Sequence, residues 1–457
     1  PQQRAVVTRD GRLAFVGLHE SGYKLTYNNR GPNRLTVVNV DGSVPKGGLL
    51  RATLASNSTS GANLALSPDE KTVYAANLAE GKKRLHAVFR LGWDDAKPEV
   101  FVGKRDAPGS GADGLKSPRD VAVDAEGNVY VPDRGNNRVA VFKPDGSFLG
   151  ELAVTSPSQV EVHPKTGAVY VLGEANCARL SKYASWREKS PAASCALRTY
   201  KHRSGGYWMP MALDSSSEPP VVWLAHASNW AGNHLVRIED KGNSFSDGAD
   251  IARLPGNSRP NAGPRRRYNL YTAGAIYGMS LDRKNRRLFL NKRSHDLASG
   301  KWGKGMDVAD GCKEGCGSFG LDGNYYAQVQ VWKNIFVRYS PGGKPLPFPD
   351  SKQKSGGIAP KTSFRLRGRG ITADPLGNIY SLQQTGPRKP GDAKDANNLA
   401  KYSPAGKLLD GELISSQIRS LNSVRLDYRG NIWVGVGARP AGKKVPTHLE
   451  GQDLGKP

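Results

Sequence analysis

One short pattern recurs from end to end of this chain and limits its fold more than any other feature: an apolar strand, a tight polar turn and a second apolar strand. It stands at residues 5–16 (AVVTRDGRLAFV), 63–75 (NLALSPDEKTVYA), 160–171 (VEVHPKTGAVYV) and 211–224 (MALDSSSEPPVVWL). It returns at 277–290 (YGMSLDRKNRRLFL), 370–382 (GITADPLGNIYSL) and 423–434 (SVRLDYRGNIWV). The fullest copy, residues 115–154 (LKSPRDVAVDAEGNVYVPDRGNNRVAVFKPDGSFLGELAV), adds two further strands. In it residues 121–124 form an inner strand, 125–128 a turn, 129–131 a return strand, 138–143 a third strand and 148–152 a fourth. β-Branched and aromatic residues suit these strands, while Gly, Asn and Pro-Asp-Gly supply the turn backbone.

Eight such starts, each opening a four-stranded sheet, describe a radial array of blades: an all-β chain with the architecture of a β-propeller. Third strands with a Tyr-Ser-Pro-x-Gly type of turn at 336–345 and 399–407 extend the pattern. No 3.6-residue apolar period argues for a helical solenoid. With 54 Gly, 30 Pro and 37% hydrophobic residues, the composition favours many short strands over long helices. The sequence predicts one propeller domain over residues 1–442 and a tail at 443–457, with eight blades, the last closed by an irregular tail or a partner, and seven as the alternative.

Residues 115–154 closely resemble an NHL repeat, so the resemblance implies an NHL-type propeller. Within that group the peptidylglycine amidating lyases imply a metal held by one His from each of several blades, with a catalytic Tyr and Arg. Tyr277, Arg119 and several His residues are available here, but no motif of that family aligns residue by residue. The resemblance therefore covers the fold, and fold does not fix function.

In a propeller, the loop before each inner strand and the loop between second and third strands share one face. Long excursions at 19–33, 226–233, 292–334 and 383–398 are expected to decorate it. Residues at the inner-strand entrance should ring the channel: Ala62, Arg119, Ser158, Met209, Tyr277, Arg369 and Asn422. Of these, Arg119, Arg369, Tyr277, Asn422 and Met209 are candidate ligand-binding residues, and Tyr277, Arg119 and Arg369 candidate catalytic ones. Two guanidiniums at one mouth match a carboxylate or phosphate, although Arg119 and Arg369 could instead pair with Asp120 or with backbone carbonyls. His19, His226 and His295, with Glu20 or Asp296, are candidate ligands for a divalent metal, Ca or Zn. No closely spaced His motif supports them.

The 66 Lys and Arg against 41 Asp and Glu give a formal charge of +25, which attracts polyanions. Cys177 and Cys195 are expected on neighbouring strands, within disulfide reach; Cys312 and Cys316 are expected to staple a loop. Such bridges, with a glycosylation sequon at 57–59, suit an extracellular or periplasmic location. No Cys-x-x-Cys-His stretch exists for covalent haem. No apolar run approaches the roughly 18 residues of a membrane span, and the opening Pro1 suggests an upstream segment has been removed. Three function classes follow. The first is a binding or assembly module for an anionic glycan or a protein partner, within a larger assembly. The second is a metal-assisted lyase or hydrolase. The third is an RNA-binding module, with 265–268 (RRRY), Tyr207, Trp208 and Trp230 as charge and stacking surface; paired cysteines argue against nucleic acid.

Overall fold

The computed structural model describes residues 5–18, 33–39, 45–46, 50–56, 62–80, 83–95, 97–174, 178–197, 211–228, 232–246, 249–250, 279–282, 285–290, 293–305, 317–329, 335–360, 364–385, 396–415, 421–426, 430 and 432–436. The chain, expected as one domain over 1–442, divides by its contacts into two compact units, Pro1–Ala275 with Pro446–Gly451 and Ile276–Val445 with Gln452–Pro457. The tail expected at 443–457 lies outside the described residues.

Among the described residues the first unit holds five antiparallel sheets in chain order. The third is typical: Ala122–Val123, Val129–Asp133, Arg138–Phe142 and Phe148–Ala153 pair as a simple up-and-down meander. The second joins Asn63–Leu66, Thr72–Ala76, His86–Gly92 and Glu99–Lys104. The fourth joins Pro157–Val162, Val169–Glu174, Ala178–Tyr183 and Ala193–Ala196, and the fifth runs from Met211–Asp214 to Ala249–Asp250. The first sheet also takes in the small hairpin Ala79–Glu80 and Lys83–Arg84. Inner strands of successive sheets touch one another, which is the blade packing of a β-propeller.

The second, third and fourth sheets are each buried on both faces, so their strands read as nearly continuous apolar runs. Val129, Val131, Ala140 and Phe142 pack on Tyr74, Ala76 and Val88 of the second sheet. The alternate positions Tyr130, Val139 and Val141 pack on Val160, Val169 and Val171 of the fourth. Polar side chains clasp the inner strands together. Asn63 Nδ2 donates to the Arg119 carbonyl at 2.8 Å, Val160 N–H donates to the buried Asp120 carboxylate at 3.1 Å, and Met211 N–H donates to Gln159 Oε1 at 2.6 Å.

The turn chemistry explains why the repeat is legible. Asp124 Oδ1 accepts the N–H groups of Glu126 and Asn128 at 3.1 and 2.7 Å, while Oδ2 accepts from Asn128 Nδ2 and the Tyr130 hydroxyl at 2.9 and 3.0 Å. Gly127, at φ +85°, completes a turn that an L residue enters at a cost. Burial, reinforced by the Asp124 charge, raises the Tyr130 hydroxyl above its ordinary value and keeps it protonated. In the fourth sheet His163 takes the Asp position, its Nδ1 accepting from Lys165 and Thr166 N–H at 3.2 and 3.3 Å.

Among the described residues the second unit contains four sheets, and here the sequence reading needs correction. The stretch 292–334 is not an excursion between two strands. Its residues Arg293–Asp296 and Trp302–Gly305 complete the sheet begun by Met279–Asp282 and Arg287–Leu290, and Gly317–Phe319 with Tyr325–Val329 open a new one. That hairpin repeats the turn motif, Asp322 Oδ2 accepting from Asn324 Nδ2 and Tyr326 hydroxyl, both at 2.7 Å. Sequence predicts eight repeat starts; nine sheets are described, the last showing Leu421–Leu426 and Ile432–Val436. The missed hairpin is weak in sequence because its inner strand has three residues and the strands before it are short and polar. The ends of the stretches 226–233 and 383–398 also belong to ladders, Val221–Ser228 pairing with Gly232–Glu239 and Ile379–Thr385 with Ala396–Tyr402, while 229–231 and 386–395 lie outside the described residues.

Gly103 tests the packing of the second sheet directly. It sits at φ +84° just beyond a register shift, and an added Cβ would lie 2.4 Å from the His86 carbonyl oxygen. Gly103→Ala is expected to cost at least about 2 kcal/mol, combining the left-handed penalty with a backbone collision. Urea unfolding measures it; an unchanged midpoint would show that the strand relaxes freely.

Candidate functional site

The described residues assemble a basic cluster where the hairpin ends of the second and third sheets meet. After Thr72–Ala76 the chain turns at Asn77, whose φ is +59°, and makes the small hairpin that ends at Arg84. Leu78, Ala79 and Leu85 are buried and pin this excursion, with Leu85 N–H donating to the Leu78 carbonyl at 2.9 Å. Arg84 is thereby half-buried, and its Nη1 donates to Asn77 Oδ1 at 3.0 Å. His86 begins the next strand. Its Nδ1 accepts the N–H of Ser117 at 3.1 Å, and Ser117 itself holds a φ of +59°.

From the loops of the third sheet come Lys116 and Arg134. The Arg134–Asn136 turn is a short 3₁₀ segment closed by Asn137 in the left-handed region, and Arg134 Nη1 donates to the Ser156 carbonyl at 3.3 Å. Arg119 N–H donates to the Pro132 carbonyl at 3.0 Å, and its side chain is partly exposed. Asp133 is the acidic neighbour of the cluster, but its charge is consumed. Oδ2 accepts from Arg138 Nε at 3.0 Å and Asn136 Nδ2 at 2.6 Å, and Oδ1 accepts Lys116 N–H at 2.6 Å. Lys83 is paired on the exposed surface with Asp106 at 3.0 Å.

The balance at Arg84 differs. Burial, and then the charge of Arg134, pull its guanidinium below the usual range. Among the described residues no carboxylate lies within ion-pair distance of it, and its hydrogen-bond partner is a neutral amide. His86 responds to the same field. Burial first, then Arg84, lower its imidazole, Asp133 opposes, and Lys116 and Lys83 add to the lowering. A guanidinium kept from water, beside a second one, offers an anion paired donors and relief of repulsion.

The His86 shift has a measurable consequence. The folded chain binds this proton less readily than the unfolded one, whose imidazole titrates near pH 6.5. Stability resting on the neutral ring is therefore complete above about pH 6.5 and declines as pH falls, because the unfolded chain takes up the proton first. His86→Gln retains an acceptor for Ser117 without titrating. Its unfolding free energy should fall less than the parent's between pH 7.5 and 5, and parallel curves would show that His86 does not carry the effect.

Of the residues predicted from sequence, Arg119 lies in the chain leading into the third sheet's inner strand, tied there by its backbone N–H and carbonyl. Arg369 lies in the second unit on the strand Phe364–Ala373, and Asn422 on Leu421–Leu426; their side chains, with all of Met209, Tyr277 and His19, are outside the described residues. Ala62 and Ser158 serve packing: Ala62 is buried and Ser158 Oγ donates to the Leu172 carbonyl at 3.0 Å. His295 is corrected. It lies in a third strand, opposite Leu288 and Trp302 in the register, and is buried rather than presented by a loop beyond the second strand. His226 lies within a strand. No group of three metal-binding side chains occurs among the described residues.

Cys195 is a free thiol whose burial raises it above its ordinary value. The register sets it opposite Leu180, three residues beyond Cys177, so the expected Cys177–Cys195 bridge is not formed. Cys177, Cys312 and Cys316 lie outside the described residues. Sequence reasoning missed Arg84, Arg134 and His86. Their signal, a Lys-Lys-Arg-x-His run and the Arg of Asp-Arg-Gly-Asn-Asn, is unremarked among 66 basic residues.

Comparison with known proteins agrees with the repeat. The NHL repeat model matches residues 115–142. Peptidyl-glycine alpha-amidating monooxygenase A of Xenopus laevis is 37% identical over 78 residues, 17% of this chain and 8% of that protein. The chain thus matches less than a tenth of that relative's length. Among solved structures, virginiamycin B lyase from Staphylococcus aureus is similar at 13% identity over 70% of this chain and 91% of its own, with a TM-score of 0.30. A eukaryotic initiation factor is similar at 10% identity over 92% and 90%, with a TM-score of 0.47. A gluconolactonase of Xanthomonas campestris matches at 20% identity over 37% and 52%, with a TM-score of 0.25. In the third sheet, then, the chain carries an NHL repeat.

Proposed function

We propose that this chain is an NHL-type propeller acting as a binding module, and that Arg84 and Arg134 hold an anionic glycan outside the cytoplasm. One observation carries the reading: Arg84 is half-buried, lowered by burial and by Arg134, and bonded to a neutral amide instead of a carboxylate. A protein ordinarily pairs a guanidinium taken this far from water. The field of +25 supports the same ligand class at long range, since it concentrates polyanions near the surface. A glycan bearing sulfate or carboxylate on successive sugars would satisfy both arginines at once, and an acidic protein segment is the competing ligand of like chemistry.

The test is binding to an immobilised sulfated glycan and to a neutral polysaccharide of similar length at several salt concentrations. Retention on the sulfated glycan alone, weakening steeply with salt, is expected. Equal retention on both, or salt-insensitive binding, would remove the reading. Selective competition by an acidic peptide but not by sulfated oligosaccharide would transfer the site to a protein partner.

A further inference from the structure

The anion cluster contains one group that can change its charge near neutral pH, and that group is bonded to the backbone that carries the others. Arg84 and His86 flank the buried Leu85, so the guanidinium and the imidazole leave the chain two residues apart. The ring is fixed by the third sheet. Its Nδ1 accepts the Ser117 N–H at 3.1 Å, which makes Nε2 the protonated nitrogen of the neutral imidazole. Ser117 holds a φ of +59°, a left-handed conformation that serine adopts at a cost. The preceding residue, Lys116, is tied through both its backbone groups. Its N–H donates to Asp133 Oδ1 at 2.6 Å, and its carbonyl accepts the Gly135 N–H at 2.8 Å from the turn that bears Arg134. A short path of covalent and hydrogen bonds therefore joins Arg84, through His86, Ser117 and Lys116, to Arg134.

The charged groups around the ring are mostly of one sign. Lys83 and Arg84 precede it in its own chain, Lys104 stands opposite it in the register, and the Arg105 carbonyl accepts its backbone N–H at 3.2 Å. Lys116 and Asp133 face it from the third sheet, and Asp133 is already engaged by Arg138, Asn136 and the Lys116 N–H. Asp106 is paired with Lys83. Because Nε2 already carries a hydrogen, an added proton goes to Nδ1 and turns the acceptor of the Ser117 N–H into a donor. Two donors then face each other, and an anionic oxygen entering between them accepts from both. We propose that His86 is a proton switch of this anion site: its protonation presents Nδ1–H and the Ser117 N–H together to an oxygen of the glycan, which is held more tightly in mildly acidic solution than at neutral pH. The switch rests on the anion-binding reading of Arg84 and Arg134. Linkage fixes its sign, since an anion that favours the charged ring is itself favoured by the proton to the same degree. Burial and the surrounding cations hold the free imidazole below its ordinary range, so the empty site is neutral at this ring at pH 7.5.

The experiment measures the Kd of the full chain for a sulfated oligosaccharide between pH 7.5 and 5 at one salt concentration. Sulfate keeps its charge throughout, so the ligand does not titrate. Affinity should rise about fivefold or more as the pH falls, within the ordinary span of coupling between two sites. His86→Gln offers Ser117 an acceptor but takes up no proton, so most of that rise should disappear. In the parent chain the His86 ring, followed by NMR, should titrate at higher pH once the oligosaccharide is added, by the same factor as the gain in affinity. An affinity that is flat with pH in the parent, or a rise kept in full by His86→Gln, overturns the switch and leaves the anion site standing. Absence of binding at every pH removes the anion site and the switch with it. Should His86→Gln fail to fold, the NMR titration decides: a His86 midpoint unmoved by the oligosaccharide ends the proposal.

Discussion

Arg138→Ala is expected to lower the unfolding free energy by about 3–5 kcal/mol, because it strands a buried carboxylate. The Arg138 side chain is 8% exposed and Asp133 is 0% exposed, with Nε 3.0 Å from Oδ2. Nη1 donates to the half-exposed Glu151 at 2.7 Å, and Nη2 donates to the carbonyls of Gly111 and Gly114 at 2.8 and 2.6 Å. Burial alone would lower this guanidinium; its bonds to Glu151 and Asp133 outweigh that and raise it. Removing it breaks the anchor of the 109–114 loop and leaves Asp133 with amide donors only. Arg138→Met with Asp133→Leu should recover part of the loss, since neither charge is then left alone. Urea unfolding of the three variants tests this, and a cost below about 1 kcal/mol for Arg138→Ala would mean that water reaches the pair.

Arg84→Met is expected to behave in the opposite way. It removes a half-buried charge that faces Arg134 and no carboxylate among the described residues, so folding should be unharmed or slightly favoured. Binding of a sulfated glycan should instead fall by roughly 10- to 100-fold, the worth of a charge-assisted hydrogen bond of about 1.5–3 kcal/mol. Stability sacrificed for a ligand is characteristic of a functional site, and the split between the two measurements is its signature. Arg84→Met that unfolds the protein while leaving glycan affinity unchanged would make Arg84 a structural residue.

Much of this molecule is legible in one dimension. The third sheet could be read nearly strand by strand, because its turn requires Asp124, Gly127 and Asn128 in a fixed order and because both sheet faces demand apolar residues. The hairpin at Gly317–Val329 escaped, since a three-residue strand carries too little periodicity to stand out although its Asp322 and Tyr326 match the motif. Cys177 and Cys195 show how little latitude there is: a three-residue offset in register separates a plausible bridge from a free thiol.

Local backbone rules and alternating apolarity, both properties of neighbouring residues, determined the repeat, the all-β class and the turn residues from sequence alone. The sites depended on something else. Arg84 feels the charge of Arg134 across fifty residues of chain, and Asp133 is held by Arg138 and by the Lys116 N–H from separate turns of the backbone. Charge and ligand chemistry act over ångströms in space, and only the tertiary structure decided which distant residues those ångströms join.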